Sequence, residues 1–159
     1  MTSEAHVIGA VVLGYGIVYF GKQMGIELQL LYFIGGSWIG GLLPDIDHPK
    51  SKFGRKIQPV STMIFAMFGH RTFTHSLLFI AIIGLTISVL NISLGTGLIV
   101  GMTSHIILDL ITPNTNGVAF LYPFNKKRIK PHHTSTFKVE TSGKQLNRTN
   151  QTDELNLKK

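Results

Sequence analysis

Leu77-Leu-Phe-Ile-Ala-Ile-Ile-Gly-Leu-Thr-Ile-Ser-Val-Leu90 contains only two polar side chains, Thr86 and Ser88. A surface helix of a soluble bundle carries a polar face that recurs about every 3.6 residues. No such face exists here, so the segment reads as a helix surrounded by apolar material on all sides. It lies inside a longer run, Thr72 to Leu108, of 37 residues without Asp, Glu, Lys or Arg. That is about twice one bilayer span. Turn residues near its centre, Asn91 to Gly97, divide it into two expected helices at 75–90 and 95–112, the second stopped by Pro113. Working outward, Ala5–Gly21 and Leu28–Pro44 are uncharged stretches of 17 residues each, at the short end of the about 17–25 needed to cross as a helix. Their glycines are commoner in membrane helices than in soluble ones. The first stretch lacks the basic n-region and the cleavage site of a signal peptide. The expected fold class is therefore all-α, a polytopic membrane protein with about four transmembrane helices.

Charge supplies the topology. Only 14% of the 159 residues are charged, yet the formal net charge is +7. Residues 1–124 hold six basic and five acidic side chains, whereas residues 125–159 hold nine and three. The expected organisation is a membrane-embedded domain over 1–124 and a basic, flexible cytoplasmic tail over 125–159. The 45–74 loop carries Lys50, Lys52, Arg55, Lys56 and Arg71, while the 22–27 connection carries Lys22 alone. The positive-inside bias then places both termini and the 45–74 loop in the cytoplasm. Within that loop Ile57–Gly69 is uncharged but too short to span, which predicts a re-entrant or interfacial helix. Phe137 is the tail's only aromatic residue, so the tail suits an anionic membrane surface, and no specific nucleic-acid partner is expected. With no cysteine in the chain, disulfide frameworks, thiolate zinc sites and cysteine nucleophiles are excluded.

The few ionisable residues of the apolar body gather at one face. His6 opens the first helix, Asp45 and Asp47 follow the second, His70 and His75 lead into the third, and His105 and Asp109 lie near the end of the fourth. An i,i+4 pair such as His105 and Asp109 projects from one side of a helix. His105 lies about 10 Å from the helix end at 1.5 Å per residue, a depth at which ionisable groups face the bundle interior and find a partner. Prolines on both sides of Asp45-Ile-Asp47-His48 forbid a continuing helix, so the segment is turned or extended; in the extended form both carboxylates lie on one side and His48, the weaker candidate, on the other. That pair is either a cation site or an ordinary proline-bounded loop. Thr74 is the expected N-cap of the third helix. His70 and His75 can converge only if the chain bends between them. Arg71 reads as a cytoplasmic anchor or as a phosphate clamp. His132 and His133 read as solvent-exposed tail residues.

Four histidines and three aspartates without sulfur suit a catalytic divalent metal, zinc first, with manganese or ferrous iron as alternatives. Such a site activates water against an ester or phosphoester. No Gly-x-Ser-x-Gly turn or phosphate loop competes with it.

Gly41-Leu-Leu-Pro-Asp-Ile-Asp-His-Pro49, Ser51-Lys-Phe-Gly-Arg55, Gly69-His-Arg-Thr-Phe-Thr-His-Ser-Leu77, Ser104-His-Ile-Ile-Leu-Asp109, Thr112-Pro113 and Leu121-Tyr-Pro-Phe124 together resemble the YdjM-like family of bacterial inner-membrane proteins. The resemblance covers residues 4–124 and implies a metal-dependent hydrolase of the inner membrane. That family is distantly similar to the all-helical zinc-dependent phospholipase C enzymes and single-strand-specific zinc nucleases. Their His-x-x-x-Asp pair matches His105 and Asp109. The similarity further implies Asp47 or Asp45, His70 or His75, and His6. The assignment made on this basis is His6, Asp47, His75, His105 and Asp109 as metal ligands, with Asp45, His70 and Arg71 in catalytic roles. A later His/Glu group of the soluble enzymes has no match before the tail, so one or two ions are expected. The expected substrate is a lipid or small-molecule phosphoester, and membrane lipid is the expected partner. The alternatives are a non-catalytic metal-binding or sensing protein, and a membrane anchor with a lipid-binding tail.

Overall fold

In the computed structural model the described residues are 3–112 and 117–130. They form helices α1 (Ser3–Gln23), α2 (Leu30–Gly40), α3 (Gln58–Phe68), α4 (Leu77–Leu90) and α5 (Ile92–Ile111), with a 3-10 turn at Leu43–Asp47. The described residues contain no strand, only an isolated antiparallel bridge between Val118 and Ile129. Helices α1 and α5 each contain a 20-residue span, Glu4–Gln23 and Ile92–Ile111, long and apolar enough to cross a bilayer.

Helix α5 is the central element, packed against α1, α2 and α4. Its contact with α2 is unusually close because both surfaces are made of glycine at four-residue spacing. A Cβ at Gly97 would lie 2.2 Å from the Phe33 carbonyl oxygen, and one at Gly101 would lie 2.2 Å from that of Ser37. Reciprocally, a Cβ at Gly36 would lie 2.4 Å from the Leu94 oxygen and one at Gly40 2.5 Å from that of Leu98. Small residues four apart on facing helices let backbones touch, a packing mode typical of membrane helices. On the opposite side of α5, Leu98, Met102 and Ile106 join Ile80 of α4 in an apolar cluster.

The distribution of polarity is inverted relative to a soluble protein, whose buried residues are mainly apolar. The interior holds His6, Ser37, Asp47, Thr74, His75, Ser93, His105 and Asp109, while Val12, Phe20, Leu31, Leu85, Val89 and Leu90 face outward. That is how helices behave when the surroundings are as apolar as leucine.

Two local expectations are corrected, and one left open is decided. The turn expected over Asn91–Gly97 contracts to Asn91, whose side chain caps α5 by accepting from the Leu94 N–H (2.9 Å). Gly95 and Gly97 are helical because they serve packing: a Cβ on Gly95 would lie 2.2 Å from Ser88 Oγ. Helix α4 is capped by Ser76, which accepts from the Phe79 N–H (3.2 Å), rather than by Thr74. Of the turned and extended forms open to Asp45–Asp47, the structure shows the turn, a 3-10 turn with Pro44 at its start, where proline's fixed φ favours a helical conformation. The helix expected in the 45–74 loop is present as α3.

After α5 the chain returns as a strap. Val118 and Ile129 exchange backbone hydrogen bonds (2.9 Å each), the Ala119 N–H donates to the Arg71 carbonyl (3.1 Å), and the Leu77 N–H donates to that of Phe120 (2.9 Å). Arg128 and Ile129 of this strap lie on the tail side of the 124/125 boundary. Pro113, and the remainder of the tail with His132, His133 and Phe137, fall outside the described residues.

Candidate metal centre

The close α2–α5 packing positions the first candidate ligand. His105 is fully buried, and its Nδ1 lies 2.7 Å from the Gly41 carbonyl oxygen. A carbonyl only accepts, so Nδ1 carries the proton and Nε2 presents a lone pair. That Nε2 is buried without a hydrogen-bond partner. It faces carboxylates, 3.6 Å from Asp45 Oδ1 and 3.8 Å from Asp109 Oδ2. A lone pair directed at anionic oxygens is unfavourable unless a cation lies between them.

Helix α1 contributes His6, whose ring stacks on that of His105 with centroids 4.0 Å apart and whose Nε2 lies 3.6 Å from Asp109 Oδ1. The loop before α4 contributes His75, fully buried. Its Nε2 lies 3.2 Å from Asp109 Oδ2 yet makes no hydrogen bond there. Two triads of ligand atoms result, each with all atoms within 4.8 Å of one another: His6, His105 and Asp109, and Asp45, His75 and His105. They share His105, which has a single free nitrogen. The five side chains therefore make one composite pocket.

Asp47 and His70 lie outside both triads and brace them. Asp47 accepts from the Arg71 N–H (3.0 Å) and the Thr74 hydroxyl, and pairs with His70 Nδ1 (2.6 Å). Thr74 also contacts His75 Nδ1 (3.1 Å), which fixes that ring through its far nitrogen, as carboxylate and hydroxyl partners fix metal-ligating histidines elsewhere. Burial pushes the Asp47 pKa up, but the hydrogen bonds from His70 and His75 outweigh it and hold the carboxyl well below the usual carboxylate range. Burial likewise pulls the His75 pKa down, and the adjacent Asp109 and Asp47 carboxylates outweigh it and raise it. The separation of Asp45 from Asp47 follows from the 3-10 turn. Three residues per turn send side chains two apart in different directions, Asp45 to His105 and Asp47 to His70. His48 stacks on His70 with centroids 4.7 Å apart.

The bend that brings His70 and His75 together comes from two residues of positive φ, Gly69 (74°) and Arg71 (60°). A non-glycine residue in that region costs about 1–2 kcal/mol, and Arg71 is pinned on every side. Its N–H donates to Asp47, its carbonyl accepts from Ala119, and its guanidinium grips Asp109 through Nε and Nη2, both at 2.8 Å. Arg128 donates to the His70 carbonyl (3.3 Å), the Gly117 carbonyl (3.2 Å) and the Thr72 hydroxyl (2.9 Å). The centre meets solvent through Asp45, Arg71 and His70, whose side chains are 15%, 16% and 27% exposed.

Sequence reasoning did not foresee the Gly41 carbonyl, Thr74 as an Asp47 partner, or Arg128. Gly40-Gly41 was a signal for the first, since paired glycines announce backbone contact. Nothing in the pattern marked Arg128 among the tail's basic residues.

Residues 1–147 match the family described as YdjM inner membrane protein. The uncharacterized protein YvsG of Bacillus subtilis is 38% identical over 125 residues, covering 77% of this chain and 74% of the relative. The inner membrane protein YdjM of Escherichia coli is 42% identical over 138 residues, covering 77% of this chain and 66% of the relative. The inner membrane protein YbcI of Escherichia coli is 35% identical over 100 residues, covering 55% and 51%. No solved structure matches the chain.

Proposed function

The chain belongs to the YdjM inner membrane protein family, and from that premise we propose a membrane-embedded, metal-dependent phosphoester hydrolase. Its substrate is a lipid or membrane-proximal phosphoester. The observation that carries the reading is the buried, unpartnered Nε2 of His105, held in place by Gly41 and directed at Asp45 and Asp109.

The membrane arrangement is four crossings, by α1, α2, α4 and α5, with α3 re-entrant or interfacial. Support comes from the outward apolar surface and the glycine-mediated α2–α5 contact. Helix α2 is only 11 residues, about 17 Å at 1.5 Å per residue against a hydrocarbon core of about 30 Å. Its uncharged flanks from Leu28 to Pro44 make up the apolar length. The basic residues of the 45–74 loop favour a cytoplasmic metal centre and cytoplasmic termini.

The residues fit one divalent cation, zinc by their nitrogen and oxygen donors. His6, Asp45, His75, His105 and Asp109 would hold it, and the single free nitrogen of His105 argues for one ion rather than two. The chemistry such a cation supplies is a water acidic enough to attack a phosphoester near neutral pH. The chain's own residues supply the rest. Arg71 stands on the open side with a guanidinium shaped for a phosphate. Asp47 holds His70 at Nδ1, leaving the other ring nitrogen to exchange a proton with substrate.

A panel of phospholipids, lipid phosphates and nucleotides, assayed with and without chelator, tests this reading. The expected result is hydrolysis of a lipid phosphoester that chelator abolishes and zinc restores. His70→Gln is expected to lose about 10²–10⁴-fold, the usual contribution of a positioned acid–base group. Activity indifferent to chelator would overturn the reading. The burial of His75, His105 and Asp109, each at most 1% exposed, favours a second reading in which the same ligands hold metal without turnover. Metal bound at full occupancy with no hydrolysis across the panel is its signature.

A further inference from the structure

At the same end of the bundle as the metal centre, the α1–α2 seam carries a groove on its outer side. His6 turns inward to His105, whereas Ile8 is 63% exposed. Ile8, Trp38 and Leu42 are among the apolar walls of a groove of about 570 Å³, and Glu4, Lys52 and Lys56 are its charged lining residues. That volume lies within the about 300–1,000 Å³ of small-ligand sites. Lys52 pairs with Glu4, both side chains more than 60% exposed. Lys56 has no carboxylate partner among the described residues. Two lysines against one glutamate leave the rim with a net positive charge, and lysine stems lie along apolar walls while their ammonium groups stay in water.

We propose that this groove holds one acyl chain of an anionic phospholipid, its headgroup phosphate seated on Lys52 and Lys56. The occupant follows from the combination of walls and rim. An apolar trough open to the bilayer takes a hydrocarbon chain, and the cationic rim at the expected cytoplasmic interface takes the phosphate. The proposal rests on the membrane-embedded reading above and names the lipid class held at the same end of the bundle as the centre.

Trp38 is the only tryptophan in the chain and lines the groove, so its fluorescence reports occupancy directly. The experiment reconstitutes the full chain in mixtures of ordinary lipid with phosphatidylglycerol or phosphatidylcholine carrying bromine on the acyl chains, which quench on contact. The expected result is a quenching midpoint at about fivefold lower mole fraction for brominated phosphatidylglycerol, since a basic residue near the surface contributes about 1 kcal/mol. The double variant Lys52→Gln, Lys56→Gln is expected to erase that preference while still being quenched. Glu4→Gln, which releases Lys52, is expected to enlarge it. Raising the salt concentration weakens the preference in the unaltered chain, so the outcome does not depend on the variants folding. Equal quenching by both lipids, or a preference that survives both high salt and the double variant, would overturn the proposal and leave the membrane reading standing. Quenching by neither lipid would overturn both.

Discussion

Gly101→Leu is expected to cost the protein its fold and its candidate metal centre together. A Cβ at this position would lie 2.2 Å from the Ser37 carbonyl oxygen and 2.9 Å from the Gly41 nitrogen. Both are backbone atoms, which cannot swing aside as a side chain can. Helices α2 and α5 must separate, and separation pulls the Gly41 carbonyl from His105 Nδ1. Overpacking a core usually costs about 1–3 kcal/mol. Here the displacement extends along two helices, and a loss above about 3 kcal/mol is expected, in the range reserved for backbone-level disruption. Gly16→Leu is the control, because a Cβ there meets nothing within 4 Å, and its effect should stay within about 0.5 kcal/mol. Thermal unfolding in detergent distinguishes the two. A Gly101→Leu midpoint equal to that of Gly16→Leu would mean that the close approach is unnecessary.

Arg71→Ala is expected to make stability depend on metal. The Arg71 guanidinium faces Asp109 through two 2.8 Å bonds. Removing one member of a buried ion pair costs about 3–5 kcal/mol because the other is left uncompensated. A divalent cation on Asp109 replaces the lost charge. The variant should therefore unfold well below the unaltered chain in chelator and recover much of the difference in excess zinc. The same destabilisation in both conditions would show that Asp109 does not meet the cation. Arg71→Lys keeps the charge without the paired geometry and is expected to fall between.

Much of this organisation was legible in the residues. The unbroken apolar character of Leu77–Leu90 announced a helix without a polar face, and the short uncharged stretch before Gly69 announced α3. His105 and Asp109 could be paired from helical spacing alone, because periodicity fixes which side chains share a face. What escaped depends on backbone contacts between distant segments. Whether Asp45 or Asp47 meets His105 is decided by a 3-10 turn, and proline-bounded tetrapeptides do not reveal that choice. Asn91 absorbs a whole turn because its side chain caps α5, and the glycines beyond it, which resemble turn residues, are spent on helix packing. Arg128 clamps the His70 carbonyl from 58 residues away, a separation that no local pattern encodes.

The most direct measurement is the metal content of the detergent-purified chain, determined by elemental mass spectrometry alongside His105→Ala. The expected result is one zinc, or another divalent metal, per chain in the unaltered protein and near-complete loss in the variant, whose missing nitrogen belongs to both triads. A chain that folds but binds no divalent metal, or a His105→Ala variant with unchanged occupancy, would contradict the assignment of this cluster as a metal centre.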